Sequence, residues 1–166
     1  MNDYPTKLPP LDDALEPEPD LPHECPERMT AGDVMAVNPR SVGPAATVEE
    51  IAATMRAEGV GDVVVIVDGE ARGILTDRDL VTRVIAEGLD ASTVTAADIC
   101  TMDPVVVPRD LPIADVERVM REHAVRRLPV VDREGKVVGV VSLGDVAVTT
   151  RPHSALGDIS AAPPNV

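Results

Sequence analysis

The sequence contains no Phe and no Trp, and its one aromatic residue is Tyr4. An interior without aromatics must be filled by Val, Ile, Leu, Ala and Met, and Val-rich stretches favour strands packed against helices. Cysteine is almost as scarce. Cys25 and Cys100 form no CxxC pair, which argues against a disulfide framework and predicts free thiols in a reducing cytoplasm. No apolar run reaches the roughly 18 residues of a membrane span, so no membrane partner is expected. The opening "MNDYPTKLPPLDDALEPEPD" lacks the basic and apolar regions of a secretory leader.

Bases are few: 15 Lys and Arg stand against 29 Asp and Glu, a net charge of −14. An acidic surface repels phosphate backbones, which excludes nucleic acid as a general partner. Any anionic ligand would need a local basic patch, and residues 118–127 supply one. Histidine is also rare, at 3 residues. No Ser–His–Asp, Cys–His or paired-carboxylate set can be assembled from them, so no catalytic residue is expected. "HEC" at 23–25 has no second ligand cluster, so no metal site is expected either. His123 follows Glu122 at a helix end, where a histidine more often meets terminal carbonyls than a phosphate.

What the chain does have is proline at its start and a repeat in its middle. Residues 1–29 hold seven of the 16 prolines, with eight acids against Lys7 and Arg28, and read as a disordered acidic tail. Residues 149–166, "TTRPHSALGDISAAPPNV", read as a second flexible tail. Between them, a shift of 65 residues sets "AGDVM" (31–35) on "AADIC" (96–100), Pro39 on Pro104, and Val48, Ile51 and Met55 on Ile113, Val116 and Met120. A shift of 66 then sets "GILTDRDL" (73–80) on "GVVSLGDV" (139–146). The chain is a tandem duplication, residues 30–95 and 96–148.

Each unit reads strand, helix, strand, strand, helix, an α/β (α+β) pattern. Thr47 with Glu50 forms a capping box, Val48, Ile51, Ala52 and Met55 make the inward stripe, and Gly59 ends the helix. "VVVIV" (63–67), the Asp68–Gly69 turn and "RGIL" (72–75) predict a hairpin, and Thr76 starts a helix running to about Glu87. The second unit predicts a strand at 105–107, a helix around 112–123, a hairpin over 128–141 and a final helix from Ser142. One such unit cannot cover both faces of its sheet. Two units packed sheet to sheet would bury a shared core.

The repeated phrase admits two readings. A [ST]-x-x-[DE] pattern at a helix start is a capping box. The same helix start offers N–H donors to an oxyanion, and Asp79 or Asp145 could grip a vicinal diol such as ribose, with Thr76 or Ser142 as an added donor. Arg126 and Arg127 have two readings as well, phosphate partners or ion pairs to Glu117, Glu122 or Asp62. A direct Asp62–Arg127 or Asp62–Arg126 pair, one form of the second reading, would close these arginines to ligand.

Motif, order and repeat spacing over residues 30–148 resemble the cystathionine-β-synthase (CBS) domain family, and the two copies resemble its paired form, the Bateman module. The resemblance implies a pseudo-twofold module with two inter-repeat clefts, often a homodimer. It also implies a regulatory role without catalysis, toward a separate, unknown protein, and a ligand of the AMP, ADP, ATP or S-adenosylmethionine kind with no required cofactor. Carried across, Thr76 and Asp79 share a cleft with Arg126 and Arg127. Ser142 and Asp145 share theirs with Gly61 and Asp62, where an acid fills the basic position and phosphate should be repelled. A CBS-fold stress or interaction protein without ligand is the other expectation.

Overall fold

The structure, a computed structural model, describes residues 29–162. In chain order it contains α1 (Ala31–Val34), β1 (Ala36–Val37), β2 (Ser41–Val42), α2 (Val48–Glu58), β3 (Asp62–Val67), β4 (Glu70–Thr76) and α3 (Asp77–Leu80). Then come a π-helical turn (Val81–Ile85), α4 (Ala96–Ile99), β5 (Thr101–Met102), β6 (Val107–Pro108) and α5 (Ile113–His123). The chain finishes with β7 (Arg127–Val131), β8 (Val137–Ser142), α6 (Leu143–Thr150) and α7 (Ala155–Ala161). Two four-stranded sheets form, ordered β2-β3-β4-β5 and β1-β8-β7-β6.

Local chemistry accounts for the elements. Thr47 accepts from the Glu50 N–H and Glu50 returns a bond to the Thr47 N–H at 2.9 Å, so α2 starts there, and Gly59 closes it at φ 65°. Asp68 and Gly69 both take positive φ, the geometry of a tight hairpin turn between β3 and β4. The register slips between Val65 and Ile66, and again at the equivalent Val130 and Val131, so the duplication extends to the bulge.

Alternation along β3 divides the buried residues between two faces. Val63 and Val65 join Ile51, Met55 and Leu75 under α2, while Val64, equally buried, points the other way. In the second sheet, Leu128 and Val130 lie under α5 with Val116 and Met120, while Pro129 and Val140 are buried outside that cluster. Burial is therefore two helix-covered clusters, one per sheet, with Val64, Pro129 and Val140 buried outside them, not the one shared core expected. The hairpins meet where the Val137 N–H donates to the Gly69 carbonyl at 2.9 Å.

The repeats exchange their leading segments. β1 pairs with β8 of the second sheet, and β5 with β4 of the first. Ala31 is buried in the second cluster, and Ala96, Ile99 and Cys100 in the first. The two phrase glycines receive these segments. A Cβ at Gly73 would lie 2.5 Å from the Cys100 Sγ, and one at Gly139 would strike the Met35 sulfur.

Three local expectations change. The helix after Thr76 gives way at Val81 to a wider turn in which the Ala86 N–H reaches the Val81 carbonyl. The strand expected at 105–107 is observed only at Val107–Pro108, paired with Val130 and Val131. The C-terminal stretch expected to be loose carries α7, capped by Ser154 and folded back on α6 with Gly157 against the Arg151 and Pro152 carbonyls.

Candidate functional site

The repeated phrase places each helix start at the end of a central hairpin. At the first, Asp79 Oδ2 accepts from the Thr76 N–H (2.9 Å) and hydroxyl (2.7 Å). At the second, Asp145 Oδ2 accepts from the Ser142 N–H (2.8 Å) and hydroxyl (2.7 Å). Both phrases are capping boxes. The first N–H of each helix is also taken, Asp77 by the Gly61 carbonyl and Leu143 by that of Arg126.

The second oxygens differ. Asp79 Oδ1 holds the Arg83 Nε at 3.3 Å, with Asp79 only 16% exposed. Asp145 Oδ1 meets no donor among the described residues. Arg83 stands four positions after Asp79, a spacing that permits such a pair and that the motif reading passed over.

Arg127 and Asp62 occupy equivalent places in the two repeats, and they pair with each other at 2.6 Å. This is the ion pair weighed above as the closing alternative. Burial raises the Asp62 pKa above its ordinary value; Arg127 pulls it down, and Asp77 and Asp145 push it up. Asp77 and Asp145 thus act on the carboxylate that Arg127 pairs with. Arg126 is exposed and pairs with no acid among the described residues, while Glu117 is taken by Arg121 and Arg151, and Glu122 by Arg118. Neither Arg126 nor Arg127 pairs with Asp79.

A cleft of about 450 Å³ opens at the second helix start, lined by Gly61, Asp62, Arg127, Val140, Ser142 and Asp145 among others. It is the place where a strand end of one repeat faces a helix start of the other. His123 closes α5 and is exposed. His23 and Cys25 lie outside the described residues. Among the described residues no group of three or more His, Cys, Asp or Glu is placed to hold a metal, and no helix is long and apolar enough to cross a membrane.

Two repeats with exchanged segments and a cleft at the second helix start define a class, and comparison with known proteins agrees. The CBS domain family matches residues 31–86 and 96–149, and the chain belongs to that family. Hypoxic response protein 1 of Mycobacterium tuberculosis is 34% identical over 133 residues, 80% of this chain and 92% of that protein. The CBS domain-containing protein YhcV of Bacillus subtilis is 34% identical over 125 residues, 75% of this chain and 88% of that one. A crystal structure of hypoxic response protein I with two coordinated zinc ions has a TM-score of 0.65 at 35% identity, covering 72% of this chain and 97% of its own. That of CBSX2, an Arabidopsis thaliana CBS-pair protein, in complex with AMP has a TM-score of 0.60 at 29% identity, covering 71% and 93%.

Proposed function

We propose that this CBS pair is a non-catalytic regulatory module that takes an adenosyl ligand between its repeats. Asp145 carries the reading: one carboxylate oxygen closes the helix cap, and the other has no donor among the described residues, beside a cleft of about 450 Å³ that Asp145 lines. That oxygen suits a ribose hydroxyl, and the AMP held by the similar CBSX2 adds support.

Charge orders the candidates. With Asp62 and Asp145 both lining the cleft beside Arg127, an uncharged or cationic adenosyl group such as S-adenosylmethionine meets the least repulsion. AMP, ADP or ATP needs a phosphate partner, which Arg127 provides after leaving Asp62, or exposed Arg126 provides by turning inward at the Thr76/Asp79 start. Ligand binding would bridge the repeats and shift their packing, which a separate regulated protein could read. Calorimetry of the full chain with AMP, ADP, ATP and S-adenosylmethionine tests this. Heat for at least one, lost in Asp145→Asn, is expected; no heat for any of the four with folded protein overturns it.

The Asp62–Arg127 pair favours a second reading, a CBS-fold stress or interaction protein that has lost its ligand. Unchanged thermal stability across the same panel, with capture of one specific partner, would select it. For either reading we place the protein in the cytoplasm as a homodimer. The buried thiol of Cys100 and the exposed apolar side chains of Val81, Ile85 and Leu89 support those assignments. Light scattering giving a mass near 17.5 kDa would reject the dimer.

A further inference from the structure

We propose that Arg83 is a latch that holds the carboxylate of the first repeat closed and ties it to the strand leading into the second. The proposal rests on the adenosyl reading and assigns its two helix starts unequal roles.

One guanidinium makes three contacts. Its Nε pairs with Asp79 Oδ1 at 3.3 Å, its Nη1 donates to the Ile99 carbonyl, and its Nη2 donates to the Thr101 hydroxyl at 3.4 Å. Ile99 ends α4 and Thr101 begins β5, the segment that closes the first sheet before the chain passes to the second. Arg83 sits in the wide turn after α3, so this tie joins three elements of the first cluster. Asp79 has both oxygens engaged, one in the cap and one in the latch.

The second repeat has the cap without the latch. Four residues after Asp145 stands Thr149, which has no charge to offer. A diol therefore approaches Asp145 Oδ1 unopposed, whereas at Asp79 it must displace a guanidinium that two further acceptors hold in place. Displacement frees Arg83 from Asp79 and loosens its hold on β5, so occupancy of the first start is felt in the connection between repeats. An ion pair of this exposure, reinforced by hydrogen bonds from a charged donor, corresponds to a difference on the order of tenfold in affinity.

Adenosine separates the latch from the arginine pairs, because it carries the diol and no phosphate. Calorimetric titration of the full chain is expected to give one tight site per chain, lost in Asp145→Asn, with binding at Asp79 about tenfold weaker. Arg83→Gln is expected to bring a second site to comparable affinity, one that survives in the Arg83→Gln/Asp145→Asn double variant, and Arg83→Lys is expected to lie between. One site in Arg83→Gln, and none in the double variant, overturns the latch and leaves the adenosyl reading intact. No adenosine bound by any variant overturns both. The tie to β5 is read without ligand by amide hydrogen exchange at Thr101 and Met102. Faster exchange by severalfold in Arg83→Gln, with the helix α2 amides unchanged, supports it; unchanged exchange at β5 overturns it.

Discussion

Asp62 is held in a position where its charge is costly. Its folded pKa is raised, chiefly by burial, against the pull of Arg127 and with the push of Asp77 and Asp145. The folded state therefore binds this proton more tightly than the unfolded chain does. Its contribution is harmless below the ordinary carboxyl value near 4 and becomes destabilising as pH rises through the raised folded value. Removing Arg127 deletes the attraction and leaves three carboxylates facing one another. Arg127→Ala should lose about 1–3 kcal/mol at pH 7 in urea unfolding, and the loss should shrink toward pH 4. Asp62→Asn removes the costly charge together with the pair and should cost less at pH 7. If it costs more than Arg127→Ala, the ion pair is a net source of stability and the cost assigned to the Asp62 charge is wrong.

A second residue is strained for a plainer reason. Gly59 and Ala124 are the equivalent C-caps of α2 and α5, and both are left-handed, at φ 65° and 53°. Glycine accepts that geometry freely, whereas alanine crowds its own carbonyl. Ala124→Gly should stabilise the protein by about 0.5–1 kcal/mol, after the greater freedom of glycine in the unfolded chain is deducted. Gly59→Ala should cost a similar amount, since a Cβ there meets nothing within 4 Å and the effect is that of the backbone alone. A thermal melt of each variant checks the pair of signs.

At the scale of elements, the parts legible in the sequence were those with local causes. The α2 cap needs only Thr47, Glu50 and Gly59, and the first hairpin needs only Asp68 and Gly69 between Val-rich strands. The two-residue strands β1 and β5 have no local period to read, and their partners lie in the other repeat. The same limit applied to the site. The capping boxes could be weighed from spacing and the cross-repeat partnership from the family resemblance, but that Asp79 keeps no free oxygen depends on Arg83, Ile99 and Thr101 meeting in space. The glycine that opens each phrase is now explained, because Cys100 packs on Gly73 and Met35 on Gly139. Gly73→Ala and Gly139→Ala should each cost about 1–3 kcal/mol by overpacking and lift the exchanged segment from its sheet. Chemical denaturation measures the cost, and faster exchange of the Thr101 or Ala36 amide locates it. A neutral effect at both positions would mean the segments are not seated where the structure has them.

For the whole molecule, the exchange decides which piece of chain can stand alone. Cutting at the sequence repeat yields 30–95, which keeps α1 and β1 that belong to the other sheet and lacks α4 and β5 that complete its own. Its cluster would lose Ala96, Ile99 and Cys100, and Gly73 would face water along the edge of β4 that β5 covers. Cutting by structure instead, residues 38–103 keep β2, α2, β3, β4, α3, α4 and β5 with the first cluster whole. Small domains have little stability in hand, so the loss of three core residues and an edge strand is decisive. The 38–103 fragment should show a cooperative thermal transition by circular dichroism and dispersed amide resonances, while 30–95 should show neither. A folded 30–95 would mean that its cluster closes without the borrowed segment, and that the exchange joins two halves already stable rather than making each depend on the other.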